Sequence, residues 1–512
     1  MRRIVPTRSG DAIRPLTQTA WNGRAPALRL SPGWLRGMAA PPFRRALVQM
    51  LVVALVLLVS GAIGWFGAAG LARLLFMGGA LAAGAWYERR SPWLYLTLTF
   101  WFWTLTPFIR RIIEYNSGFD PTDIVLVTPN LVAMFMLRDI VTSRTLLRRR
   151  ETLTGLLLLA PAVYGLAVNF VEGDLYPGAV AAADWLVPLL YYFYIIDKAS
   201  DVAGAEADFR WFVTLNALVV VGYGLWQFFH PPAWDVAWSI ASSMEMAEAR
   251  AEEIRVFGTL NSTGVLAEWL GALILLALYF RTRLTIVLLP ATALVLLFSW
   301  VRSVTVGVVL SVMLAAWIGG GRMTASLLRV VIAAVVVGVI ALSFNPIVAD
   351  RLMGRIDSLG ELQSDASAHE RAALWRSGPR LIDAHPFGMG IGALGRGAVA
   401  ANDPDLVSVD AGPVAIYLSL GWVAGTIYLV GMFAVVVQAL LAARRTRSGA
   451  ACAFAVAAFC TFFELAFVNI QGFAGCVLWL CGGFATAYGI APREQALEMS
   501  PVLSPADFGT PD

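Results

Sequence analysis

Charge is what this sequence has least of. Only 14% of its 512 residues are Asp, Glu, Lys or Arg, against 58% that are hydrophobic, far from the roughly 25% charged content of soluble globular domains. Water is therefore not the main solvent of the chain. Apolar runs of helix length, such as 46–64, 153–170 and 286–300, carry no interior charge. A spanning helix needs about 20 such residues, and in lipid only helices and closed barrels pair every backbone N–H and C=O. Barrel strands would be shorter and would alternate. The expected fold class is all-α: a polytopic transmembrane bundle with a long helical loop on one side.

Cysteine and histidine are scarce too, at four and three. Cys452, Cys460, Cys476 and Cys481 show no CxxC or Cys/His metal spacing and fall in late apolar segments. They are expected as small buried packing residues. No cluster of His, Asp and Glu has ligand spacing, and a nucleophile-elbow motif is missing, so neither a metal nor another cofactor is expected. The net charge of +4 comes from scattered arginines, which gives nucleic-acid binding no support.

Hydropathy divides the chain into about fourteen spans, with twelve as the lower bound: 46–64, 68–87, 92–110, 122–140, 152–170, 179–196, 209–229, 257–280, 284–300, 303–319, 325–344, 411–440, 450–469 and 472–489. With the tail before Arg44 in the cytoplasm, Arg89 and Arg90, the run from Arg148 to Arg150, Arg281 and Arg283, Arg322, and Arg444 and Arg445 all fall on that side, as topology selection requires. Both termini are then cytoplasmic. Residues 1–45 mix Pro, Gly, Arg and Thr without apolar periodicity and are expected as a disordered tail rather than a cleaved signal segment. Residues 46–345 form spans one to eleven, 346–409 a large outer loop, 410–490 the last spans, and 491–512 a second tail.

Loops as long as 346–409 usually carry function. Within it, Ser367-Ala368-His369-Glu370 reads as a capping box opening a helix, with the Ser and Glu side chains satisfying orphan amides, and Leu374, Trp375, Leu381 and Ile382 as its apolar face. Gly378 and Pro379 are expected to break that helix and Pro386 to end it, leaving two short amphipathic pieces.

On the outer face the topology gathers Arg255, Arg302, Arg371 and Arg376, with Asp410 at the start of a span. Arginine near lipid is costly. Interfacial snorkelling and ion pairing account for single cases, whereas a polyanion site accounts for several together, because guanidinium binds phosphate bidentately and stays charged. Asn261 belongs to a polar helix start that can aim amides at a ligand, and Glu268 lies seven residues on, near the same face. An intramembrane carboxylate is a functional candidate by default, with Asp174, Asp184, Glu464 and Asn469 as weaker cases. The run HPFGMGIG at 385–392 supplies His385, which also suits a structural role, and glycines Gly388 and Gly390, whose amides are candidates for an anion nest.

Three blocks in order carry a family resemblance: RVFGTLNSTGVL at 255–266, SWVRSVTVG at 299–307, and residues 369–392 with Arg371, Trp375, Leu381, Ile382, His385, Pro386, Gly388, Gly390 and Gly392. Together they resemble the O-antigen ligase and Wzy-type polysaccharide polymerase superfamily of bacterial inner-membrane glycosyltransferases. The resemblance covers about residues 250–440. It implies a metal-independent, inverting transfer at the periplasmic face, from a polyprenyl-diphosphate-linked oligosaccharide to an acceptor glycan or lipid. Membrane lipids and other polysaccharide export proteins are the further partners it implies.

Under that resemblance Arg255, Arg302, Arg371 and Arg376 hold the diphosphate, and Asp410 or Glu268 activates the acceptor. Asn261, His385, Gly388 and Gly390 are candidate substrate contacts. Ligases of the family carry a His-Asn pair where this chain has Val409-Asp410, which shifts the expectation from ligase toward polymerase. A flippase for the same lipid is the rival from another class, and clustering of the arginines at one face favours the enzyme.

Overall fold

The computed structural model describes residues 41–242, 255–319, 332, 366–401, 409, 411–469 and 471–499. Helices make up 84% of the structure, with no strand among the described residues, so the protein is an all-α polytopic bundle. Nine helices are long and apolar enough to cross a membrane among the described residues, and three shorter apolar ones accompany them. The expected span at 325–344 and most of the loop at 346–409 lie outside the described residues.

In chain order the helices are α1 Pro41–Trp65, α2 Ala69–Glu88, α3 Pro92–Ser117, α4 Thr128–Ala133, α5 Met136–Thr142, α6 Glu151–Glu172, α7 Leu175–Asp197, α8 Ala205–Phe229, α9 Ala233–Ser242, α10 Thr263–Ala277, α11 Arg283–Phe298, α12 Arg302–Gly319, α13 Ala366–Ala384, α14 Arg396–Ala401, α15 Gly412–Thr446, α16 Gly449–Glu464 and α17 Phe473–Met499. Their starts follow local chemistry. Ser91 caps α3 ahead of Pro92, Thr282 and Thr285 form a capping box on α11, and Ser448 caps α16, each satisfying orphan amides.

α17 is the central helix, with 94% of its apolar stretch buried, whereas α1 buries 22% and lies at the edge. Lipid tails are as apolar as leucine, so close backbone approach holds such helices together. Small residues permit it: a Cβ at Gly482 would sit 2.4 Å from Val435, and one at Gly155 would sit 2.6 Å from the Phe193 ring.

The helices alternate in direction and define two ends. At the first, Arg45 pairs with Asp208 at 2.8 Å, Trp93 donates to Asp201, Tyr488 donates to Glu206, and Arg444 lies over the Trp317 ring. At the second, Asn116 donates to the Trp65 carbonyl, the Trp65 and Trp234 rings meet edge to face, and the Gly412 amide donates to the Leu465 carbonyl.

Two elements depart from the sequence expectation. α13 runs unbroken through Gly378 and Pro379, and begins at Ala366, so Ser367 lies inside its first turn. It stays continuous because it packs along α15: a Cβ at Gly378 would lie 2.9 Å from Val414, and Ile382 is buried with Val414, Ala415 and Leu418. α15 is instead the broken helix. Gly421 has φ 73° and ψ −179°, which frees backbone groups inside the bundle at a cost of several kcal/mol each if unpaired.

Candidate functional site

The segment that repairs α15 is the glycine-rich run after α13. Met389 N–H donates to the Leu418 carbonyl at 2.8 Å, Gly390 N–H to the Ser419 carbonyl at 3.0 Å, and Trp422 N–H to the Pro386 carbonyl at 3.0 Å. Gly392 N–H donates to Asn169 Oδ1 at 2.8 Å, and Gly388 N–H to the His385 carbonyl. The anion nest expected at Gly388 and Gly390 is not formed: these amides are taken by protein acceptors. The glycines are there for approach, since a Cβ at 388 would lie 2.5 Å from the Ser419 oxygen and one at 390 would lie 2.5 Å from the Asn169 side chain. His385 is exposed beside them.

A second device shapes the start of α10. The expected span from 257 becomes helical only at Thr263, because the preceding carbonyls are held elsewhere. Arg111, at 0% side-chain exposure, donates Nε to Asp235 Oδ1 at 2.8 Å, Nη1 to the Leu260 carbonyl at 2.6 Å and to Asn261 Oδ1 at 3.3 Å, and Nη2 to the Gly258 carbonyl at 2.7 Å. Asp235 Oδ2 accepts from Tyr223 and Gln227, and Gln227 Oε1 accepts from the Phe257 and Gly258 amides. Every partner in this buried network is hydrogen-bonded, the condition under which buried charge is tolerated.

Behind these two devices lies a cavity of about 420 Å3, within the usual range of small-molecule sites. Asn261 and Ser262 from the α10 start, Glu268 further along that helix, and Asn469 and Gln471 from the α16–α17 connection line it. Asp184 of α7 and Arg396 of α14 complete the polar wall as an ion pair at 3.2 Å. Trp103, Trp185 and Phe473 supply the apolar wall. The Trp103 indole N–H already donates to Tyr191, and its ring stacks on Phe473.

Four buried atoms on this wall have no hydrogen-bond partner among the described residues: Glu268 Oε2, Asn469 Oδ1, and Oε1 and Nε2 of Gln471. Native proteins rarely bury such atoms without something to satisfy them. Their convergence on one cavity makes it the candidate site for a polar ligand.

The arginines expected to hold a diphosphate are not on this wall. Arg255 is exposed, with its guanidinium 5.8 Å from the centre of the Trp300 ring, and Trp300 stands two residues before Arg302, which opens α12. Arg376 is exposed on α13 and donates to the Ala372 carbonyl. Arg371 lies in the same helix, and its side chain is outside what is described, as is Asp410. Asp174 is exposed at the start of α7, and Glu464 is buried on α16. All four cysteines are buried, and no metal-competent cluster occurs among the described residues.

Sequence reading found Asn261, Glu268, Asp184 and Asn469 but not Arg111, Asp235, Arg396 or Gln471. A signal existed for two: Arg110 and Arg111 end an apolar span, and Arg396 sits between two glycines. No family model matches this chain, and no curated protein does.

Proposed function

We propose that this protein is a membrane-embedded glycosyltransferase that moves glycan from a polyprenyl-diphosphate donor to the hydroxyl of an acceptor sugar, acting as a surface-polysaccharide polymerase. The observation that carries the proposal is the cavity wall: Glu268, buried to 5% exposure with one oxygen unpartnered, faces a space lined by amides and aromatic rings. Arg255 lies over the ring of Trp300, two residues before Arg302, so both arginines border the turn that opens α12.

The acceptor oxygen attacks the anomeric carbon, the bond from that carbon to the diphosphate oxygen breaks, and the hydroxyl proton passes to the Glu268 carboxylate, later leaving to water. Polyprenyl diphosphate departs with the bonding electrons, and Arg255 and Arg302 stabilise its charge. Attack opposite the leaving group inverts the anomeric centre. In this reading the arginine-rich end, with Arg89, Arg90, Arg148 and Arg445, faces the cytoplasm of a bacterial inner membrane, and the cavity opens toward the periplasm.

Gene deletion followed by size analysis of surface glycan and of lipid-linked intermediates tests the proposal. Loss of long chains with build-up of single lipid-linked repeats supports it. Long chains that persist on the carrier make the protein a ligase, repeats trapped on the cytoplasmic leaflet make it a flippase, and unchanged glycan excludes all three.

A further inference from the structure

We infer that the cavity beside Glu268 is a subsite for an uncharged sugar ring, and that the diphosphate stays outside it at the Arg255–Arg302 turn. The inference rests on the transferase reading for its partner molecule but on the cavity for its chemistry. Charge is the first argument. Asp184 and Arg396 are 3.2 Å apart and neutralise one another, and Glu268 adds either no charge or one negative charge. The polar wall is therefore never positive, and a diphosphate brought into this low-dielectric space would meet no net attraction.

Hydrogen-bonding capacity is the second argument. The unpartnered amide atoms are two acceptors, Asn469 Oδ1 and Gln471 Oε1, and one donor, Gln471 Nε2; Glu268 Oε2 beside them accepts when ionised and can donate when protonated. An anion presents acceptors only and cannot satisfy the two amide oxygens. Sugar hydroxyls donate and accept, so a ring with neighbouring hydroxyls satisfies all four. The third argument is the aromatic part of the lining: Trp103, Trp185 and Phe473 border the cavity, and such rings pack against the C–H face of a sugar.

A ring seated in this cavity presents a hydroxyl to Glu268, which makes this the acceptor side of the reaction. Asn469 and Gln471 then choose among sugars, because a site built to hydrogen-bond hydroxyls leaves buried groups unpaired when the wrong one enters.

The test uses the full chain in lipid nanodiscs, with Val468, another lining residue, changed to Cys; the four native cysteines are buried. The rate of thiol labelling at this position is followed during titration with glucose, galactose, N-acetylglucosamine and lactose, and separately with inorganic pyrophosphate. Expected is several-fold protection by at least one sugar, its loss when Asn469→Leu and Gln471→Leu are added, and no protection by pyrophosphate. Protection by pyrophosphate, or by no sugar in the panel, overturns the inference. The two readings fail separately: pyrophosphate in the cavity removes the sugar subsite but leaves a donor-binding transferase, whereas sugar protection in a protein whose deletion leaves glycan unchanged removes the transferase and leaves the subsite.

Discussion

Arg111 and Asp235 stand 124 residues apart in sequence and meet at 2.8 Å, each side chain at 0% exposure. The pair fixes the non-helical run 257–261, and through it the position of Asn261 on the cavity wall. Removing one member of a buried pair strands the other, at a cost of about 3–5 kcal/mol. Arg111→Met and Asp235→Leu should each lower the thermal unfolding midpoint of the purified protein. The double variant should recover part of the loss, although the Gly258 and Leu260 carbonyls remain without their donor. Additive losses would show that the pair is not coupled.

The glycines of the α15 repair segment should differ sharply from a glycine with room. Gly388, Gly390 and Gly395 all have positive φ, but only at Gly395 would an added Cβ meet nothing within 4 Å. Gly395→Ala should cost roughly 1–2 kcal/mol from backbone strain alone. Gly388→Ala and Gly390→Ala should cost clearly more, because the added methyl meets the Ser419 carbonyl and Asn169. Chemical denaturation in detergent compares the three; equal losses would mean that the segment does not seat against α15.

These two relationships show what the sequence could and could not reveal. The all-α membrane bundle was legible because lipid allows so few ways of satisfying a backbone; of the roughly fourteen spans expected, nine helices among the described residues are long and apolar enough to cross. Glu268 and Asn261 stood out as polar residues where apolar ones belong. The break at Gly421, the unbroken run of α13 through Pro379 and the helix start delayed to Thr263 were hidden. Each is decided by a distant partner: residues 386–390 for the break, Val414 for α13, and Arg111 for the delayed start. Local propensity says nothing about such partners.

The Asp184–Arg396 pair keeps the wall of the cavity from being cationic. Arg396→Leu should leave Asp184 without its cation and be more damaging than the double change Asp184→Leu with Arg396→Leu, by about 1–3 kcal/mol. Unfolding midpoints of the three variants decide it. If the single change is the milder, the pair is not what makes the carboxylate tolerable there.

At the outer turn, Arg302→Ala should shorten and thin the polymer, with a loss of transfer of roughly 10- to 100-fold, the worth of one charge-assisted hydrogen bond to the leaving group. Arg302→Lys should retain part of the activity as a point charge. Arg255→Ala should behave alike. Glycan length profiles from cells with equal membrane levels of each variant make the comparison, and an unchanged profile for Arg302→Ala would remove the diphosphate role.

The central claim is that Glu268 takes the acceptor proton. In deletion cells complemented with Glu268→Gln, the ratio of single lipid-linked repeats to long chains reads that step directly. Glutamine keeps the shape of the side chain and its place on the cavity wall but cannot serve as the base, and loss of a general base slows transfer by about 100- to 10,000-fold. We expect the variant to reach the membrane at the level of the unaltered protein, to accumulate single repeats and to make no long chains. Full-length polymer from Glu268→Gln cells would contradict the account.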